Sequence, residues 1–317
     1  MEYAFVALGL VILLLAGDAL VRGAVNAALR LGVPALVVGL TVVAFGTSAP
    51  ELLVSIQAIL DGAPGIALGN VVGSNIANIL LVLGIPAIIA GIRTGASDTR
   101  RSYVTMIAAS VFFIALAFFG PLTWLHGLAL LVFLGVFLFG QVREAQEYQR
   151  NGQEAAEDEI DLEGADPSMP GWKILLFLGL GLVGLPLGAD LLVDNAVAIA
   201  RDIGVSETVI GLTLVAVGTS LPELATTVMA ALRREADVAL GNVIGSNIFN
   251  LLAIMGVASL FGSIAVDRQF LTFDFWVMLG ASLLLLPFVF GRGRDLTWGW
   301  GALFVTLYAA YLYALVA

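Results

Sequence analysis

The sequence predicts an all-α integral membrane protein of ten transmembrane helices in two inverted five-helix repeats. Three observations carry this: an apolar composition, ten apolar stretches of spanning length, and an internal duplication. Of 317 residues, 60% are hydrophobic before Gly is counted, and 36 Gly raise the apolar share to about 71%. A soluble domain counted the same way has roughly 45–50%. Charged residues make up only 12%, too few to cover a soluble globule of this size. The composition excludes a cytosolic enzyme, a nucleic-acid binder and a disordered chain. With no Cys there is no disulfide framework, thiol nucleophile or thiolate metal site, and the lone His126 excludes histidine clusters.

A helix needs about 20 apolar residues to cross a bilayer. The candidate spans are 3–26, 34–59, 65–91, 103–120, 123–141, 172–200, 206–231, 237–262, 273–290 and 298–316. The longest must tilt, kink or break. The first begins near Met1 without a basic leader and is too long for a signal-peptide core, so it reads as a retained helix. Trp124, Trp172, Trp276, Trp298 and Trp300 fall near span ends, as interface anchors do.

Lys and Arg set the expected orientation. With the N-terminus outside, one set of loops holds Arg30, Arg93, Arg100, Arg101, Arg143, Arg150, Lys173, Arg233, Arg234, Arg292 and Arg294, and the other holds Arg201 and Arg268. Both termini are therefore expected outside. The domain reading is a first repeat over 1–141, an acidic cytoplasmic loop over 142–171, and a second, inverted repeat over 172–317. Nine of the 24 acids lie between Glu144 and Asp166, so the net charge of −10 is largely that loop. It lacks EF-hand spacing and reads as a solvated linker.

A shift of 172 residues aligns Gly32–Gly84 with Gly204–Gly256 without a gap and with 28 identities in 53 positions. Asp18 falls on Asp190. Five spans per copy is an odd number, so the second copy enters from the opposite face, the inverted plan of secondary transporters. The duplication keeps polar and helix-breaking residues in register. Gly46-Thr47-Ser48-Ala49-Pro50-Glu51 is matched by Gly218-Thr219-Ser220-Leu221-Pro222-Glu223. The stretch from Gly69 to Asn78 (GNVVGSNIAN) is matched by Gly241 to Asn250 (GNVIGSNIFN).

Pro50 and Pro222 each lie midway along a long apolar span and should break the helix just before them. Ser48 with Glu51, and Ser220 with Glu223, have capping-box spacing for a new half-helix. The break is expected to free carbonyls around Ala44–Thr47 and Ala216–Thr219. Non-helical backbone at membrane depth belongs beside a cavity or inside protein. A plain kink needs no carboxylate, and an acid near the bilayer centre costs roughly 2.5–3.5 kcal/mol. Two such acids in register point to a bound cation.

In the second motif Ser74 and Asn78 share a helix face, as do Ser246 and Asn250. They are read as ligands. Gly69, Gly73, Gly241 and Gly245 are read as helix-packing residues. For Asn70, Asn75, Asn242 and Asn247 both readings stand. Two carboxylates with hydroxyls, amides and carbonyls, and no His or thiolate, make a hard-cation inventory. Two carboxylates balance one Ca²⁺, two Na⁺ or two protons, which is the physical basis for exchange.

These paired segments resemble the two alpha-repeats of the cation/calcium antiporter superfamily, and most nearly its prokaryotic sodium/calcium exchanger branch. The resemblance covers all ten spans. It implies ion sites at the midplane between the second, third, seventh and eighth helices, with the first and sixth sliding across that core. It implies Glu51 and Glu223 as central ligands for Ca²⁺ and Na⁺, with oxygens from Thr47, Ser48, Thr219 and Ser220. It implies carbonyls of Ala44 and Ala216 at flanking Na⁺ sites that Ser74 and Ser246 complete. Asn78 and Asn250 follow each Ser by four residues. Sodium/calcium exchangers of this branch often carry Asp where this chain has Asn250, so the cavity here holds −2 rather than −3.

Asp18 and Arg22 have i,i+4 spacing and read as a local ion pair. Asp190 and Asp194 read as acids at an ion entrance, and His126 as interfacial. The expected function is Ca²⁺/Na⁺ antiport by alternating access, with a Ca²⁺/H⁺ antiporter as the alternative and a cation channel a weaker one. An intramembrane protease lacks its Ser–His or aspartyl pair. No cofactor, nucleic acid or obligatory protein partner is expected; the partners are Ca²⁺, Na⁺ and the lipid bilayer.

Overall fold

The computed structural model describes residues 1–94, 99–151, 166–204, 216–291 and 295–316. The described residues form helices α1 (Glu2–Leu31), α2 (Ala35–Thr47), α3 (Ala49–Leu60), α4 (Pro64–Ile89), α5 (Arg100–Phe118), α6 (Trp124–Asn151), α7 (Gly171–Asp202), α8 (Leu221–Leu232), α9 (Ala236–Phe261), α10 (Phe270–Phe290) and α11 (Trp298–Val316). Eight of these are long and apolar enough to cross a membrane, and α2 with α3 makes a ninth span bent by 42°. Of the expected span 206–231, residues 206–215 lie outside the described residues, and α8 is its second half.

α4 and α9 form the centre. About 78% of the most apolar window of α4 and 83% of that of α9 are buried, against 22% for α6 and α11. The outer helices therefore present their apolar side chains to lipid, as a multi-pass membrane protein requires. Close backbone contacts hold the bundle. A Cβ on Gly301 would lie 2.6 Å from the carbonyl oxygen of Gly84, and one on Gly127 would lie 2.6 Å from that of Gly256. These join α11 to α4 and α6 to α9. Two isolated antiparallel bridges, Ile92–Leu296 and Leu122–Ile264, tie the loops.

α1 and α7 run antiparallel along each other. Gly9 meets Gly188 and Leu192, Gly184 meets Ala16, Gly181 meets Leu20, and Gly23 meets Leu178. Small residues let membrane helices approach where no hydrophobic force drives them together. α1 ends at Gly32, whose φ of 62° lets its N–H turn back onto the carbonyls of Ala28 and Leu29.

Several expectations need correction. α6 continues ten residues past the expected boundary at 141, so the first part of the acidic linker is helix. Residues 141–151 hold good helix formers and no Gly or Pro before Gly152. Gln149 Nε2 donates to the Leu31 carbonyl at 2.6 Å, and Arg101 reaches Glu144 at 3.7 Å. Glu154, Glu157, Asp158, Glu159, Asp161, Glu163, Arg292 and Arg294 lie outside the described residues. Asp18 does pair with Arg22, at 3.0 Å, but also with Arg233 at the end of α8. His126 Nδ1 accepts the Thr123 N–H at 3.1 Å, at the start of α6.

Candidate functional site

The first motif breaks its span as expected. α2 passes into a π-helical segment, Gly39–Val43, then a last α-turn, Ala44–Thr47, before the bend at Ser48. α3 begins with Ala49 and Pro50, where a missing N–H costs nothing. Glu51 thus sits in the first turn of α3, and Glu223 in the first turn of α8, where the helix dipole favours a negative group. Both glutamates are fully buried.

The capping boxes do not form. Neither Ser48 nor Ser220 makes a side-chain cap bond. Ser48 instead turns its Oγ across to the other motif and donates to Glu223 Oε1 at 3.4 Å. Thr47 Oγ1 makes a 3.2 Å bond to Asn242 Oδ1. The Ala44 carbonyl is not simply freed: it accepts the Ser48 N–H at 3.0 Å and the Thr47 hydroxyl at 3.3 Å. In the second copy the Ser220 N–H bonds Val217 at 3.0 Å rather than Ala216.

The second motif lies on α4 and α9 and braces the first. Asn70 Nδ2 donates to the Glu51 carbonyl at 3.3 Å and to Ser55 Oγ at 3.1 Å. Asn242 Nδ2 does the same to the Glu223 carbonyl and Thr227 Oγ1, at 3.3 and 3.1 Å. Asn75 and Asn247 each donate to the other's backbone carbonyl at 3.3 Å. The Nδ2 groups of these four amides thus tie the motifs to the half-helices and to each other. π-helical segments Asn78–Val82 and Asn250–Ile254 follow at the same offset of 172. Such segments recur at functional sites.

Asn78 Nδ2 donates to Asn247 Oδ1 at 3.1 Å. The reciprocal bond from Asn250 is not made, and both its side-chain polar atoms lack a partner. So do Glu51 Oε1 and Oε2, Glu223 Oε2, Ser220 Oγ, Ser246 Oγ, Asn75 Oδ1 and Asn78 Oδ1. A buried polar atom without a partner is costly. That such atoms gather on the two motifs is what an oxygen-ligated cation site requires. Thr47, Ser74 and Ala44 are also buried, while Ser74 and Thr219 line a cavity of about 430 Å³. Among the described residues no three Asp, Glu or His side chains gather to hold a metal; the two motifs offer two carboxylates and neutral oxygens.

Sequence reasoning missed Ser55 and Thr227, although both are hydroxyls four residues after a motif glutamate. It also missed Asp274, a carboxyl inside an apolar span, 2% exposed and bonded by Tyr311 Oη at 3.0 Å. The packing glycines divide. Gly241 and Gly245 press on α2, whereas Gly69 and Gly73 line the cavity.

Comparison with known proteins gives the family. The family described as sodium/calcium exchanger protein matches residues 1–143 and 173–317. The chain is 36% identical to a putative antiporter, CaxA, of Alkalimonas amylolytica, covering 98% of this chain and 97% of that one. It is 35% identical to the sodium/calcium exchanger MaX1 of Methanosarcina acetivorans, covering 97% and 96%. The fold matches the sodium-calcium exchanger NCX_Mj, soaked with zero Na⁺ and Ca²⁺, with a TM-score of 0.83 at 34% identity, over 99% and 98% of the two chains. This chain is thus a multi-pass membrane antiporter of the cation/Ca²⁺ class, and it belongs to the sodium/calcium exchanger family.

Proposed function

We propose that the protein exchanges Ca²⁺ for Na⁺ by alternating access, binding either ion between Glu51 and Glu223. The observation that carries this is the pair of fully buried carboxylates, one from each motif, among partnerless oxygens. An uncompensated pair of buried charges is costly. One Ca²⁺ neutralises it, as do two Na⁺, so either load suits the same cavity. Thr47, Ser48, Thr219, Ser220, Ser74, Ser246, Asn78, Asn250 and the carbonyls of Ala44 and Ala216 complete the proposed ligand set. The names of MaX1 and NCX_Mj, both sodium/calcium exchangers, favour Na⁺ as the counter-ion.

In this reading ten helices form two inverted repeats, 1–141 and 172–317, around a two-fold axis in the membrane plane. Exchanged contact pairs support it: Ile92–Leu296 with Leu122–Ile264, Gly84–Gly301 with Gly127–Gly256, and Asn75 with Asn247. The arginine bias supports external termini and a cytoplasmic segment 142–171. Sliding of α1 and α7 across the core of the second, third, seventh and eighth spans would switch access.

A proton-coupled exchanger is the second reading, favoured by Asn250: with Asn at both 78 and 250, two protons neutralise the site as fully as two Na⁺. Equilibrium Ca²⁺ binding to the purified protein separates the two. Na⁺ at constant pH should displace bound Ca²⁺, and Asn250→Asp, which adds a carboxylate, should change the Na⁺ concentration required by several-fold with little change in Tm. Ca²⁺ binding indifferent to Na⁺ but lost on acidification would assign protons. An unchanged Na⁺ requirement in Asn250→Asp would show that position is not coupled to the ions.

A further inference from the structure

Outside the two motifs, one enclosed carboxyl among the described residues lines the cavity that Ser74 and Thr219 also line. Asp274 closes the π-helical segment Phe270–Asp274 at the start of α10 and is 2% exposed. Tyr311 Oη of α11 donates to its Oδ1 at 3.0 Å, and Gln269 lines the cavity beside it. Neither residue carries a charge, and no Lys or Arg ion-pairs with Asp274 among the described residues. The remaining cavity wall is largely apolar, with Val54, Ile66, Phe270, Leu312 and Leu315.

The cavity has a direction. Asn70, Ser74 and Thr219 form its motif end, whereas Ile66, Gln269 and Leu315 lie at the helix ends on the side where α3 meets α4 and α11 finishes. That is the external face under the orientation proposed above. An anionic group in an apolar wall attracts cations and is stabilised by their arrival. The phenol hydrogen bond holds the carboxyl in place and can yield to a cation that brings a full charge. The position 172 residues earlier is Ser102, so the acid belongs to one repeat only.

We propose that Asp274, with Tyr311 and Gln269, forms an outer cation site in this cavity, which receives Ca²⁺ or Na⁺ before it passes to Ser74 and Thr219. The inference rests on the exchange reading for its role, but not for its existence. The outer site is distinct from the Glu51–Glu223 pair, so it binds when that pair is disabled.

The test uses Tb³⁺, a Ca²⁺ probe whose luminescence is excited through nearby tyrosine, here Tyr308 and Tyr311 in the cavity wall. In a Glu51→Gln/Glu223→Gln background, tyrosine-excited Tb³⁺ luminescence should persist, Ca²⁺ should quench it, and adding Asp274→Asn should remove it. In the otherwise native chain, Asp274→Asn should raise the external Ca²⁺ concentration for half-maximal uptake about 5-fold, with the maximal rate within two-fold. Asp274→Glu should restore both readouts, and Asp274→Ser stands in if the Asn variant does not fold. Luminescence absent in the double variant, or unchanged by Asp274→Asn, would overturn the outer site. Unchanged half-saturation would overturn its place in the path. Failure of the exchange reading shows separately, as native protein that exchanges nothing.

Discussion

Glu51→Gln or Glu223→Gln will reduce Ca²⁺ transport at least about 100-fold, to the background of empty vesicles, while the protein remains folded. Gln keeps the shape and one oxygen of the carboxylate and removes its charge. With Ca²⁺ as the counter-charge, taking one carboxylate from the buried ion pair it forms typically costs about 3–5 kcal/mol, and one remaining carboxylate cannot neutralise Ca²⁺. The fold should survive because neither Oε of Glu51, and only one of Glu223, accepts a hydrogen bond that Gln must replace. Neutralising a buried carboxylate can even raise thermal stability in the ion-free state. Isotopic Ca²⁺ uptake, with Tm measured on the same preparations, checks both halves. Native exchange by either variant would remove its glutamate from the site.

The second large effect separates two glycines that the sequence makes equivalent. Gly73 and Gly245 occupy the same place in the repeated motif, 172 residues apart. A Cβ on Gly245 would stand 2.6 Å from the Leu40 carbonyl oxygen and 2.7 Å from Ala44 Cβ, and the backbone atom cannot step aside. A Cβ on Gly73 would meet nothing within 4 Å. Gly245→Ala should therefore cost about 1–3 kcal/mol as an overpacking change. It should also impair transport, because Ala44 lies in the last α-turn before the bend at Ser48. Gly73→Ala should be neutral or stabilising by up to about 1 kcal/mol, since Ala is the better helix former. Thermal unfolding in detergent distinguishes them. Equal losses would mean that the contacts of Gly245 do not govern its tolerance.

Much of the fold was legible because a membrane helix announces itself by length and composition. The stretches 172–200, 237–262 and 298–316 agree with α7, α9 and α11 to within two residues at each end. The motifs were legible because the duplication preserved polar residues where apolar ones would suffice, and the structure brings Thr47, Ser48, Glu223 and Asn242 together across the two copies. What escaped depends on tertiary contacts. Ser48 and Glu51 have cap spacing, yet the Ser48 side chain accepts no cap bond and turns its hydroxyl to Glu223 of the other motif. The π-helical segments have no signature of their own in Gly39–Val43 or Asn78–Val82. The extra length of α6 is held by Gln149 on the end of α1. Arg233 on Asp18 spans 215 residues of sequence, a distance no local pattern reaches. The differing roles of Gly73 and Gly245 are invisible for a further reason: identical residues sit in repeats whose surroundings are not identical.

The most direct measurement is Ca²⁺ uptake into proteoliposomes loaded with Na⁺ and diluted into Na⁺-free medium, repeated with an imposed pH gradient in place of the Na⁺ gradient. The exchange mechanism requires uptake with the Na⁺ gradient and none with the pH gradient alone. Ca²⁺ uptake driven by protons and indifferent to Na⁺ would contradict it.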